Sequence, residues 1–528
     1  MDRRLFYLPD LKTQANLLCC ETPATTTEQH TIVIVPPLLE EMNACRRHIA
    51  EYAAQASLHG YKTLYFDLLG SGDSALELAD INSLAMWQAN IDTLLALATT
   101  PVTLIAIRSG VLLLSAQQLA DWPVQLWQPE LSGQRWVKAI RRAQHLMPQS
   151  PADPNDDFTD YQGYTIANSL LDEIAAVDLS SQLDPSRHTL QYVDGLAPLN
   201  SKLAMQTIAS YAFWQHNERT DDTMQAWFDA SLAKLATQTH HIAPRSAEHT
   251  SNTERQPKHS VTQSSQESIK CLPVNNRVIF VGQHDTDVAG VSVVFLPGRP
   301  QTRVGPHRLF VSLARQLAAS GISATRVEYI GWGDGTGPAQ TYQSPSAELT
   351  AVIRWLKQQK PNDHIVLCGL CDGATLSLLA SPNECSGLIL LNPFFDNDAA
   401  WSGALLEDHY LTQATDMQAL LRHLKQPWLL PAKVAGLLKH WWQSKAPSPQ
   451  SSTSPAISQL KSSSLPTLLC WSEHDLTAKQ SQLQLQEWLN KPQQTVKLET
   501  IEHADHTFSN SSSQHQLFAR ILKFLNTI

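Results

Sequence analysis

The chain has 528 residues, 43% of them hydrophobic and 17% charged, with a formal net charge of −10. That length exceeds one ordinary hydrophobic core, so two or more domains are expected, and the acidic balance gives no electrostatic reason to expect nucleic acid or anionic membrane as a partner. The start, Met1 to Pro9, lacks the apolar run of a signal peptide, no stretch of about 18 apolar residues marks a membrane span, and the scattered cysteines (Cys19, Cys20, Cys45, Cys271, Cys368, Cys371, Cys385, Cys470) read as reduced thiols of a cytoplasmic protein.

Along the chain, Thr31-Ile32-Val33-Ile34-Val35-Pro36 reads as a buried strand. A helical segment over residues 46–58 follows, ending at Gly60, and a second strand runs into Gly70-Ser71-Gly72-Asp73. The strand 102–106 leads to Ile107-Arg108-Ser109-Gly110, and the strand 188–193 leads to Asp194. Residues 240–270 are rich in Ser, Thr, Gln and His and read as a linker. Beyond it the first pattern returns: Val291 to Pro297 as a strand, 307–319 as a helix ending at Gly321, and a strand running into Gly331-Trp332-Gly333-Asp334. Pro36 and Pro297, Gly60 and Gly321, and Gly70 and Gly331 are each 261 apart, as read from their positions.

The expected fold class is therefore α/β: two tandem domains, 1–239 and 271–528, each a mainly parallel sheet flanked by helices and packed on the other. Residues 401–443 place leucines at helical spacing, and 446–464 are dominated by Ser, Pro and Gln. This stretch, about 397–464, reads either as a helical cap inserted over the second sheet or as helices packed on its core.

The second domain carries the chemistry-bearing pattern. The apolar run 364–368 leads into Gly369-Leu370-Cys371-Asp372-Gly373 and then a helical run. A strand, a tight turn and a helix with a nucleophile between glycines form the elbow of an α/β-hydrolase, since only residues without a Cβ permit that backbone approach. The order nucleophile, acid, histidine is completed downstream. The strand 467–471 leads to Asp475 and the strand 495–501 leads to His506, with Glu473 the rival acid and His503 the rival base.

The helix dipole and the imidazole favour a thiolate at Cys371, while Asp372 opposes it. The oxyanion hole is expected from the backbone N–H of Asp372 and one from the Gly298-Arg299 turn. Three competing readings carry less: Cys368 and Cys371 as a redox Cys-x-x-Cys, His503 and His506 as metal ligands, and the 331–337 loop as a dinucleotide motif, which lacks its sixth-position glycine and reads as a loop near the pocket. No cofactor or metal is expected.

In the first domain Arg108 takes the nucleophile position, and a guanidinium cannot serve as one. Asp194 matches the acid, and His216 is the poor candidate for a base. This half reads as a non-catalytic relative, with anion binding by Arg108 at a helix start as the sharper alternative.

The runs 36–43, 67–74 and 127–133 resemble the second type of exosortase A system-associated hydrolase, and the runs 298–308, 369–374 and 504–509 resemble the first type. The resemblance implies a fusion of the two, an α/β-hydrolase fold, and a setting in bacterial exopolysaccharide production and PEP-CTERM protein sorting. Cys-His-Asp chemistry is also similar to that of dienelactone hydrolases. The function expected is hydrolysis of an ester or thioester, on a small-molecule or saccharide-linked acyl substrate. Acyl transfer to a sugar hydroxyl and a non-catalytic scaffold are the alternatives.

Overall fold

The computed structural model describes residues 3–144, 157–198, 204–215, 224–238, 266–288, 290–298, 301–338, 346–380, 384–395, 454–491 and 495–528. In the first half these form β1 (Arg4–Pro9), β2 (Asn16–Thr22), β3 (His30–Val35), β4 (Tyr61–Phe66), β5 (Val102–Ile107), β6 (Val124–Trp127), the hairpin β7 (Phe158–Tyr161) and β8 (Tyr164–Ala167), β9 (His188–Val193) and β10 (Met205–Ile208). The second half forms β11 (Gln266–Val274), β12 (Arg277–Asp285), β13 (Val291–Leu296), β14 (Ser323–Val327), β15 (His364–Leu370), β16 (Cys385–Leu391), β17 (Thr467–Ser472) and β18 (Val496–Ile501).

Two eight-stranded sheets result, ordered β1-β2-β4-β3-β5-β6-β9-β10 and β11-β12-β14-β13-β15-β16-β17-β18. The two orders are the same walk through space. In each, the first two strands pair antiparallel and the rest run parallel. Every residue of β3 and β5 is buried, as are nearly all of β13 and β15. Such uninterrupted apolar runs are what a parallel sheet covered on both faces demands.

The register of the repeat survives in the backbone. Gly60 and Gly321 have φ of 80° and 82°, and Gly72 and Gly333 have 51° and 48°. At Gly72 a Cβ would meet the Asp67 carboxylate at 2.2 Å, and at Gly333 it would meet that of Glu328 at 2.2 Å. Each turn therefore folds tightly over an acidic residue at the end of the preceding strand.

These loops meet across the two halves. Arg46 of the first half pairs with its own Asp67 and with Asp334 of the second at 2.9 Å, where Tyr65 also donates to Asp334 at 2.9 Å. In the opposite direction, Arg303 pairs with its own Glu328 at 2.9 Å and with Asp73 of the first half at 2.8 Å, and Arg326 reaches Asp73 at 2.5 Å. Tyr65 and Arg326, like Asp73 and Asp334, are 261 apart, so the contact is close to its own mirror. Burial alone would raise Asp73 and Asp334, but the surrounding guanidiniums outweigh it and hold both well below the usual carboxylate range.

Four expectations change. The linker expected over 240–270 ends earlier, because Gln266–Val274 is the edge strand β11, hydrogen-bonded along its length to β12. The 331–337 loop, expected near the pocket, instead lodges Asp334 against the first half. The first long helix spans Glu40–Leu58, with Glu40 and Glu41 in its first turn, where the helix dipole favours carboxylates. The helix after β17, whose sequence reads as helical over 481–489, likewise starts earlier, at Leu476.

A second unit takes in residues 216–218 and 395–463. Its described part includes the helix Pro455–Ser462, which buries Ala456, Ile457 and Leu460. The rest of the expected cap, 396–453, lies outside the described residues.

Candidate active site

The site is assembled at the carboxyl ends of β13, β15, β16, β17 and β18. Cys371 follows β15 with φ 59° and ψ −122°, a conformation that costs a non-glycine residue about 1–3 kcal/mol and is tolerated where the surroundings enforce it. The enforcement is visible in the glycines. A Cβ on Gly373 would lie 2.3 Å from the Leu296 carbonyl, and one on Gly369 would lie 2.2 Å from the Gly373 carbonyl. The helix Asp372–Leu379 then starts from the cysteine, bringing its N-terminal dipole to the sulfur.

His506 Nδ1 donates to Asp475 Oδ2 at 2.6 Å, and both side chains are buried. Burial alone would lower the imidazole's pKa. The charges of Asp475 and Cys371, and the hydrogen bond to Asp475, outweigh it and raise His506 well above its ordinary value. Asp475 is drawn the other way: burial would raise it, but His506 and the hydrogen bonds of Thr477 hold it down to about 2. His506 and Asp475 thus form one buried, bonded pair, with Cys371 near enough to act on the imidazole.

Two residues that the sequence reading did not single out complete this frame. Asp475 caps the helix Leu476–Leu489 by accepting from the Thr477 amide at 3.0 Å, and the Thr477 hydroxyl donates to the same carboxylate at 2.7 and 2.8 Å. Asn392, fully buried after β16 with φ 44°, donates to the His506 carbonyl at 2.8 Å and to Ser472 Oγ at 2.8 Å, and accepts from the Ser472 amide at 2.8 Å. A polar residue ending the apolar run 388–391 was the available signal for Asn392.

Of the expected oxyanion-hole residues, Arg299 lies outside the described residues. Gly298 lies beside the nucleophile: a Cβ there would meet Asp372 Oδ1 at 2.7 Å and the Cys371 Cβ at 3.3 Å. The Asp372 carboxylate therefore sits alongside this turn.

The rival pair exists, but at the surface. His503, with φ 56° and its side chain 76% exposed, donates its amide to Glu473 at 2.8 Å. Ligand atoms of Glu473, His474 and His503 lie within 4.8 Å of one another, a geometry open to a metal ion. His503 and His506 therefore do not share one site. For the Cys-x-x-Cys reading, Cys368 lies inside β15, where burial and then Cys470 push its thiol well up and keep it protonated.

The first half keeps the elbow without the chemistry. Arg108 adopts φ 53°, and a Cβ on Gly110 would meet the Pro36 carbonyl at 2.3 Å, matching Gly373. A six-residue 3-10 turn, Arg108–Leu113, replaces the expected helix. The guanidinium is taken up by Glu41 at 2.8 Å and lies 4.5 Å over the Trp214 ring, so the anion-binding alternative is corrected to an internal ion pair. The Ser109 hydroxyl accepts from the Leu38 amide at 2.9 Å, the position 261 before Arg299, and so occupies the donor that an oxyanion would need. Asp194 is exposed, and His216 lies outside the described residues.

A family model described as "Alpha/beta hydrolase family" matches residues 293–521. With the sheet order, it gives the α/β-hydrolase fold. Among solved structures, an α/β serine hydrolase without lid from Xanthomonas campestris is 16% identical, over 49% of this chain and 94% of its own, at a TM-score of 0.33. An esterase from Pyrococcus furiosus is 17% identical over 50% and 92%, at 0.37, and a dienelactone hydrolase from Anabaena variabilis is 14% identical over 50% and 99%, at 0.34. The comparison with curated proteins found no match. Among the described residues, no helix is long and apolar enough to cross a membrane.

Proposed function

We propose that the second domain hydrolyses an ester or thioester through a Cys371 acyl-enzyme, with His506 as base and acid and Asp475 as its orienting partner. The observation that carries this is the buried His506–Asp475 pair, bonded at 2.6 Å, together with the strained Cys371 at the elbow whose charge acts on that imidazole. The sulfur attacks the acyl carbon. The resulting oxyanion is met by the Asp372 amide and one from the Gly298-Arg299 turn, and His506 protonates the departing alcohol or thiol. Water then gives a proton to His506 as its oxygen attacks the thioester, the C–S bond breaks, His506 returns that proton to the Cys371 sulfur, and the acid departs, releasing its remaining proton to solvent.

The resemblance of the two halves to exosortase A system-associated hydrolases supports a setting in exopolysaccharide production and PEP-CTERM sorting. In the same reading the first domain is non-catalytic, which Arg108 and its ion pair with Glu41 support. The test is incubation with p-nitrophenyl butyrate and mass analysis of the quenched protein. An acyl adduct on Cys371 that is absent from Cys371→Ala is expected, and a folded wild-type chain that acylates no cysteine overturns the reading. Adding a sugar acceptor separates hydrolysis from transfer by whether the acyl group leaves as acid or as ester.

A further inference from the structure

We infer that Glu40, on the half without a nucleophile, is a positioning residue for the site on the other half. It fixes the loop that faces Cys371 and, through His307, the loop that carries His506. This rests on the triad reading above.

The Glu40 carboxylate lies at the start of the helix Glu40–Leu58. Its Oε1 accepts from Gln301 Nε2 at 3.2 Å, and Gln301 in turn donates its amide to the Gly298 carbonyl at 2.9 Å. One end of the carboxylate therefore holds the turn beside the nucleophile. Asn43, one helical turn on, accepts from Thr302 Oγ1 at 3.4 Å and strengthens the same hold.

The other oxygen, Oε2, accepts from the His307 amide at 3.4 Å and from the Tyr164 hydroxyl at 2.8 Å. His307 sits with φ 37° and Arg308 with φ 70°, two successive left-handed residues that carry side chains. Such a conformation persists only where the surroundings enforce it. The first half supplies the enforcement. Arg308 donates to the Gly72 carbonyl at 2.8 Å and the Leu76 carbonyl at 2.6 Å. Gly163, at the tip of the β7–β8 hairpin, lies under the His307 ring, so closely that a Cβ there would meet Cγ at 2.3 Å.

Held in this way, His307 Nε2 donates to the Thr507 carbonyl at 2.8 Å, and Gln514 Nε2 donates to Nδ1 at 3.5 Å, a pattern that selects the neutral Nε2–H tautomer. Thr507 directly follows His506. The imidazole's own carbonyl is tied on its other side by Asn392. The histidine loop is thus pinned from the sheet by Asn392 and from the first half through His307, while the opposing turn is pinned by the same carboxylate. No residue of the first half needs to touch substrate for this to matter, since a displacement of about 1 Å in such a frame costs up to about 10²-fold in rate.

The test uses the full chain and p-nitrophenyl butyrate, comparing wild type, Glu40→Ala, Glu40→Gln and Tyr164→Phe. Glu40→Ala is expected to lower kcat by about 10–100-fold with KM within about threefold. Glu40→Gln is expected to recover part of kcat, since its amide oxygen still accepts at one of the two ends. Tyr164→Phe removes one bond to Oε2 and is expected to lower kcat by a few fold with an unchanged melting temperature. Wild-type kcat in Glu40→Ala overturns the inference, as does a loss in Glu40→Ala that Glu40→Gln shares in full. If Glu40→Ala does not fold, Tyr164→Phe with wild-type kcat overturns it. A wild-type chain that acylates no cysteine instead fells the triad reading beneath it.

Discussion

Cys371→Ala is expected to lower ester turnover by about 10⁴-fold or more while leaving the fold intact, and stopped-flow release of p-nitrophenol checks it. The same substitution removes one of the charges that hold His506 up. The imidazole pKa, followed by NMR, should therefore fall in the variant, and an unmoved titration would mean that the thiol and the ring are not coupled. The pH dependence of stability follows with a definite sign. His506 is raised, so its contribution is full below the ordinary imidazole value of about 6.5 and is lost as pH rises through the folded value. Asp475 is depressed to about 2, so its contribution is present above the ordinary carboxylate value and is lost as pH falls through about 2. The pair should stabilise most between about pH 4 and 6.5, and Asp475→Asn should flatten the melting temperature against pH on both sides of that window. At this scale much of the site was legible: Cys371, Asp475 and His506 were readable because each follows a strand in the order the chemistry needs. Thr477 and Asn392 were not. Asn392 acts through a hydrogen bond to a residue 114 positions away, and Thr477 through bonds to Asp475 that depend on how the intervening turn folds, and side-chain identity alone does not announce such partners.

At the scale of the element, the elbow is a backbone device that exists twice, with Cys371 at the apex of one copy and Arg108 at the apex of the other. The glycine clashes are nearly identical: a Cβ at 2.3 Å from Leu296 O at Gly373, and at 2.3 Å from Pro36 O at Gly110. Both obstacles are main chain, Leu296 at the end of β13 and Pro36 directly after β3, and cannot swing aside as a flexible side chain would. Gly373→Ala and Gly110→Ala are therefore each expected to destabilise by more than about 3 kcal/mol, measured by denaturant unfolding. A cost below about 1 kcal/mol at Gly110 would show that the first elbow has relaxed since losing its chemistry. The strands and elbows were legible from apolar runs and glycine spacing, because both reflect local sterics. The 3-10 turn Arg108–Leu113 was not, since that run carries no proline and its Gly110 matches Gly373, so nothing local sets it apart from the helix after Cys371.

At the scale of the whole molecule, the offset of 261 predicted two related sheets but not how they hold each other. Asp73 and Asp334 read as turn residues, and their cross-pairing with Arg326, Arg303 and Arg46 joins groups more than 200 residues apart. Removing one partner of such a buried set leaves uncompensated charge. Asp73→Ala and Asp334→Ala are each expected to cost about 3–5 kcal/mol. Because each aspartate is bound from the opposite half, either variant should lower the unfolding midpoint of both sheets together. Separate transitions, with only the mutated half weakened, would count against the crossing.

The reciprocity of that crossing also bears on why the two halves share one polypeptide. If each were made as a free chain, pairing would depend on their relative synthesis and fall off on dilution, and any excess would expose buried guanidiniums or carboxylates to water. A single reading frame fixes the ratio at one to one and replaces a bimolecular encounter by a tethered one. The half without a nucleophile is then inherited as an obligate companion, free to drift at position 108 but bound to change in step with its twin wherever the loops cross.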